Sequence, residues 1–287
     1  RLDESIAEFE HALEVLGALE HPSPAEEVMT MGNLALALGQ RGDKELALEY
    51  TARSLDLGIE IFGAHSARIA GMRLNYGSAL AQAQRHDEAI EQTLAAVEVL
   101  EELFGPNHVH VGVGRLNLAS SSAKLERFDD AWQQVSRAKE VFEEHFGPRH
   151  HWLARAANVE SLVLLGQGRH TEALERRRWA LGVLEQAFSM TNAEVIRTRY
   201  DVGTLLLQMG DPLHAIESLE GVVRVADEVG FNPDYRGDFR FSLARALWSQ
   251  RSRRAEALLR ADEAAQLFET ADSERAAEVR AWSAAHR

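Results

Sequence analysis

The chain has 287 residues, 45% of them hydrophobic and 26% charged, with no cysteine and a formal charge of −14. That is a soluble globular composition; it excludes disulfides and thiolate chemistry, and its acidic balance works against nucleic acid and anionic membranes as partners. The longest aliphatic runs, such as Leu162-Val163-Leu164-Leu165, are far too short to span a bilayer. No signal peptide is visible, so a cytoplasmic location is expected. The first residue is Arg1, and the only lysines are Lys44, Lys124 and Lys139; these features read as a piece of a longer protein from a GC-rich bacterial genome.

A repeat organises the chain. Small residues recur at Ala47, Ala89, Ala131, Ala173, Ala215 and Ala257, each 42 residues after the last. The same step links Leu57, Val99, Val141, Val183, Val225 and Leu267, then Phe62, Phe104, Phe146 and Phe188, and Gly63, Gly105 and Gly147. Independent columns sharing one period predict stacked structural repeats, in which each unit packs on its neighbours and no single core has to grow.

In chain order, residues 1–20 read as the second helix of a cut repeat, since Asp3-Glu4-Ser5-Ile6 matches Asp87-Glu88-Ala89-Ile90. Full repeats follow at 24–65, 66–107, 108–149, 150–190 and 191–232, with a degenerate repeat at 233–270 and a capping helix at 271–287. Within 24–65, Met31, Leu34, Ala35 and Leu38 make an apolar stripe at i, i+3, i+4 and i+7, which predicts helix A. Gly42-Asp43 supplies a turn and a cap, and helix B follows with Ala47, Leu48, Ser54 and Leu55. The small residue at the head of helix B lets the two helices approach closely at their turn. Helix B closes on Phe-Gly, as in Phe104-Gly105-Pro106, where glycine takes the left-handed cap conformation and proline stops the helix. In the last repeat, helix A around Leu243-Ala244-Arg245-Ala246-Leu247 reads as shifted by one residue.

The columns resemble the tetratricopeptide repeat. Ala35, Gly42, Ala47, Thr51 and Ser54 fall at its eighth, fifteenth, twentieth, twenty-fourth and twenty-seventh positions, as do Ala119, Glu126, Ala131, Val135 and Ala138 in the third unit. The long period and the Phe-Gly-x-x-His turn are similar to kinesin-light-chain-like arrays. Departures are the missing aromatic at the eleventh position (Leu38, Leu80, Ser122) and the missing turn proline. The resemblance implies an all-α, right-handed α-solenoid of stacked antiparallel helix pairs. It also implies a non-catalytic scaffold that holds a peptide or helical protein partner in a concave groove. The tail around Ala281-Trp282-Ser283-Ala284-Ala285-His286 further resembles the C-terminal halves of bacterial serine/threonine kinases, which would make the array a signalling region.

Positions two, six, nine and thirteen of helix A should face that groove. They give Met29, Asn33, Leu36 and Gln40, then Gly71, Asn75, Ser78 and Gln82, then Val113, Asn117, Ser120 and Lys124. The fourth unit gives Arg155, Val159, Leu162 and Gly166, and the fifth Arg197, Asp201, Thr204 and Gln208. The expected partner-binding set is therefore Asn33, Gln40, Asn75, Ser78, Gln82, Asn117, Ser120, Lys124, Arg155, Arg197 and Asp201. A row of asparagines can pair with a peptide backbone without reading its sequence; the competing reading is that each bonds a neighbouring helix. Arg155 and Arg197 could fork onto a partner carboxylate or pair with a nearby Glu. Arg73, Arg115 and Arg199 lie off this face and read as packing or salt-bridge residues between repeats.

His108, His110, His150 and His151 fall in matching turns. Zinc needs three or four convergent ligands, and the turn histidines read instead as helix caps or as rings packed on the phenylalanines. No metal or other cofactor is expected. No phosphate loop, nucleophile elbow or kinase motif occurs, so the chain reads as no enzyme. The other readings are a structural spacer or homo-oligomerisation arm, and the regulatory C-terminal half of a kinase.

Overall fold

The computed structural model describes residues 2–19, 23–271 and 273–287. Arg1, Glu20 and Asp272, at the ends of the first and last predicted segments, lie outside the described residues.

The described residues form helices without strands, in two compact units, Arg1–Pro148 and Arg149–Arg287. The first unit holds α1 (Leu2–Ala18), α2 (Pro24–Arg41), α3 (Lys44–Phe62), α4 (Ala67–Gln82), α5 (His86–Phe104), α6 (Val109–Lys124) and α7 (Phe128–Phe146). The second holds α8 (His151–Gly166), α9 (His170–Ala187), α10 (Ala193–Gln208), α11 (Pro212–Val229), α12 (Pro233–Trp248), α13 (Arg254–Thr270) and α14 (Arg275–Ala285). In each unit successive helices pack as antiparallel pairs, and the A helices α2, α4, α6, α10 and α12 also lean on the B helix before them. This is the all-α solenoid architecture that the 42-residue columns predict.

The column alanines explain the pairing. Ala131, Ala173, Ala215 and Ala257 are fully buried, where the short side chain lets helix A approach helix B. Opposite them the eighth position of helix A is small too. A Cβ added at Gly203 would stand 2.8 Å from the Leu219 side chain, so that crossing admits only glycine unless Leu219 moves. The valine column Val99, Val141, Val183 and Val225 fills the space between repeats, with Phe142 and Leu184 fully buried beside it.

The turns are set by backbone chemistry. The residue closing each tight A–B turn has positive φ: Gly42, Gly168 and Gly210, but also Gln84 (63°) and Glu126 (59°). At the longer B–A turns Gly63, Gly105 and Gly147 take positive φ, and the next helix is capped from the column Ser66, His108, His150 and Asn192. His108 Nδ1 accepts from the His110 amide at 3.3 Å, and its ring stacks on Phe104 at 4.7 Å. His150 Nδ1 accepts from the Trp152 amide at 3.5 Å. His108 and His150 thus cap helices, His108 and His151 pack on Phe104 and Phe188, and among the described residues no three metal-ligating side chains converge.

The B helices start at residues 44, 86, 128, 170, 212 and 254, a strict 42-residue step. Helix α12 breaks it on the A side. Its buried face, including Phe239, Leu243, Ala244 and Leu247, is displaced by one position from that of α10. A single 3₁₀ turn, Arg251–Arg253, restores the register before α13. Helix α14 then packs on α13 through Val279, while Trp282 meets Phe241 and Trp248 edge to face at 5.7 and 5.8 Å.

Candidate functional site

On the A helices of the first unit, Asn33, Gln40, Asn75, Gln82 and Lys124 are exposed, and Ser78, Asn117 and Ser120 are half-buried. Met29 and Leu36, expected on the Asn33 face, are 59% and 65% exposed. Helices α4 and α6 contain no Asp or Glu. Their neighbours α5 and α7 carry acids in quantity, among them Asp87, Glu88, Glu91, Glu98, Glu101 and Glu102 on α5 alone. The negative charge of this unit is thus concentrated on the B helices, and the A-helix face of α4 and α6 is lined by amides and hydroxyls.

The asparagine row is not uniform. Asn117 Nδ2 donates to Ser78 Oγ at 3.2 Å, and Ser78 donates to the Leu74 carbonyl at 3.0 Å. Asn117 therefore ties α6 to α4, whereas Asn33 and Asn75 stand in solvent. Of this row, Asn117 bonds a neighbouring helix as one reading expected, and Asn33 and Asn75 are exposed.

In the second unit the A helices are bonded to one another more heavily. Arg155 pairs with Glu194 and lies over the Trp152 ring, 4.3 Å from its centre. Burial holds the Arg155 pKa below its ordinary value. Asn158 Nδ2 donates to Thr198 at 2.9 Å, and Val159, at the sixth position, is buried. Arg197 is exposed and donates to the Tyr235 hydroxyl at 3.1 Å. The Asp201 carbonyl accepts from the buried Arg177 at 2.9 Å, and its carboxylate stands 3.7 Å from the same guanidinium. Desolvation lowers the Arg177 pKa, with Asp201 acting against it. Arg155 and Asp201 are thus turned to internal partners.

The arginine column off this face bonds within repeats at Arg73, between repeats at Arg199, and both ways at Arg115. Arg73 donates to Gln92 at 2.8 Å, Arg115 to Gln134 at 3.1 Å and to Glu101, and Arg199 pairs with Glu185. Among the described residues no helix is long and apolar enough to cross a membrane.

Two family models, each described as tetratricopeptide repeat, match the chain, one over residues 111–186 and the other over 28–67 and 69–110; together they take in more than half of it. No curated protein sequence matches significantly. Among solved structures the chain is similar to BtubC (BKLC) from P. vanneervenii, at 18% identity and a TM-score of 0.58 over 80% of this chain and 92% of that one. It is similar to a Podosopora anserina putative kinesin light chain with nearly identical repeats, at 14% identity and a TM-score of 0.56 over 72% and 97%. It is also similar to a Rap protein complexed with competence and sporulation factor, at 13% identity and a TM-score of 0.68 over 100% and 87%. The chain belongs to the tetratricopeptide-repeat family and is a scaffold for protein interaction.

Proposed function

We propose that the A-helix face of the first unit holds an extended peptide segment of a protein partner, and that the array serves as a recruitment or regulatory region. The observation that carries this is the pairing of exposed amides with exposed apolar side chains on a face whose α4 and α6 lack carboxylates. Asn33 and Asn75 offer donors and acceptors to a peptide backbone. Met29 and Leu36 flank Asn33 with apolar area that would favour a partner's apolar side chain. The likeness to a Rap protein holding competence and sporulation factor supports a ligand held by such an array.

The test is selection from a library of random peptides, followed by affinity measurement on Asn33→Ala/Asn75→Ala and Met29→Ser/Leu36→Ser. Binders should weaken about tenfold with either pair, as expected for losing one or two hydrogen bonds or a buried apolar anchor. A library that yields no binder, or binders indifferent to both pairs, overturns the reading. A concentration-dependent dimer would favour an oligomerisation arm.

A further inference from the structure

The second unit contains a cavity of about 810 Å³ whose lining comes from both sides of α11, with α9 and α10 on one flank and α12 and α13 on the other. A cavity lined in this way is a trough that straddles α11; its lining on that helix runs from His214 to Asp227 and includes Glu217, Gly221 and Arg224, spaced to share one helix face. Its floor is apolar, with Val202, Leu206, Val223 and Leu243 buried beneath the rim.

Gly221 keeps the crossing low. The equivalent positions in earlier repeats carry Arg53, Ala95, Arg137 and Trp179. A Cβ at Gly221 would meet only the Arg199 side chain, at an ordinary 3.4 Å, so packing does not require glycine here. Glycine inside a helix is disfavoured against alanine, because it loses more backbone freedom on folding.

The charges on the rim are unequally engaged. Glu185 pairs with Arg199, Asp227 with Arg240 and Arg236, and Glu220 and Glu256 with Arg253. His214 is paired with Asp211 at 2.7 Å. Arg178 and Arg224 line the same trough, are exposed, and make no ion pair or hydrogen bond among the described residues, although Arg178 stands near enough to Asp211 to help lower the pKa of that carboxylate, whose own bond is to His214. Against these two guanidiniums stands one lining carboxylate without a pair, Glu217. Arginine presents a rigid fork of donors that matches a carboxylate.

We propose that this trough is a second binding site, for an acidic extended peptide segment of a partner protein whose carboxylates meet Arg178 and Arg224 and whose backbone crosses α11 over Gly221. An open, helix-crossing trough suits a chain running through it better than a small anion, which needs enclosure to be desolvated. The apolar floor takes the aliphatic stems of glutamate side chains.

The test uses the whole chain and a fluorescein-labelled oligo-glutamate peptide of about ten residues, with an oligo-lysine peptide of equal length and free glutamate as competitors. Fluorescence anisotropy should show saturable binding that added salt weakens. Arg178→Gln/Arg224→Gln should weaken it at least about tenfold, the loss expected for charge-assisted hydrogen bonds. Gly221→Leu should block the crossing with comparable effect. Both substitutions are at the surface, and circular dichroism verifies that the variants fold; the arginine pair alone carries the test if the glycine variant does not. Asn33→Ala/Asn75→Ala should leave this binding unchanged, which separates it from the site on the first unit. No saturation, binding unaltered in the arginine variant, or preference for oligo-lysine overturns the site. Competition by free glutamate as strong as by the peptide overturns the peptide assignment.

Discussion

The Asn117 carboxamide donates to the Ser78 hydroxyl at 3.2 Å across two successive A helices. This bond splits a chemically uniform column into one structural member and two exposed ones. Replacing Asn117 by Ala should destabilise the chain by about 1 kcal/mol, the net value of a typical hydrogen bond. A double-mutant cycle with Ser78→Ala should show coupling, because the residues share one bond. Asn33→Ala and Asn75→Ala, in solvent, should each change stability by no more than about 0.5 kcal/mol. Urea midpoints measure the four single variants and the double. A loss at Asn33 as large as at Asn117 would show that the exposed asparagines are structural as well.

Periodicity made the fold legible. A side chain that recurs every 42 residues must meet the same surroundings in each hairpin, and the burial of Ala89, Ala131, Ala173, Ala215 and Ala257 follows directly. The helix-capping role of His108 and His150 was legible as one of two readings, since they precede a helix in matching turns. The candidate site was legible only as a face. Whether Asn117 points to solvent or to Ser78 depends on the residue at the ninth position of the previous A helix, which no single repeat reveals. Val159 shares the asparagine column but is buried, and there its neighbour Asn158 makes the bond between A helices. The trough over α11 depends on an omitted side chain at Gly221, which a repeat pattern registers only as a gap.

Two tight A–B turns place ordinary residues in the left-handed region, Gln84 at φ 63° and Glu126 at φ 59°, where three other repeats use Gly42, Gly168 and Gly210. A non-glycine residue there costs about 1 kcal/mol or somewhat more. Gln84→Gly and Glu126→Gly should therefore each stabilise the chain by up to about 1 kcal/mol, reduced by the extra freedom glycine has when unfolded. Gly168→Ala should do the reverse. Thermal midpoints read both directions, and a destabilised Gln84→Gly variant would mean that its side chain contributes more than its backbone conformation costs.

Arg177 is buried, donates to Ser161 at 3.0 Å and to the Asp201 carbonyl at 2.9 Å, and stands 3.7 Å from the Asp201 carboxylate. Replacing Arg177 by Ala removes a group that satisfies buried acceptors and should cost about 3 kcal/mol, in the range for breaking a buried pair. Asp201→Asn should cost less, about 1 kcal/mol, because the carbonyl contact survives and the side chain is partly exposed. If Asp201 instead served mainly to meet a partner, Asp201→Asn would leave the urea midpoint in place.

His108 links turn geometry to pH. Its Nδ1 caps α6 by accepting from the His110 amide, a bond that only the unprotonated nitrogen can make. Desolvation, then the neighbouring His110 and His145, lower its pKa from the ordinary 6.5. A base with a depressed folded-state pKa binds fewer protons when folded than when unfolded. Its contribution is therefore complete above 6.5 and is lost as pH falls from there through the folded-state value. His86 and His151 are shifted the same way by burial, so the wild-type chain should lose stability on acidification from more than one site. His108→Asn isolates one contribution, since Asn192 already caps α10 from the equivalent position by accepting from the Glu194 amide at 2.8 Å. The fall in thermal midpoint from about pH 7.5 to about pH 5.5 should be smaller in His108→Asn than in wild type, with the two chains similar at the higher pH. Parallel pH profiles would mean that protonated His108 is tolerated in the turn, and that the cap at this position contributes nothing that acid can remove.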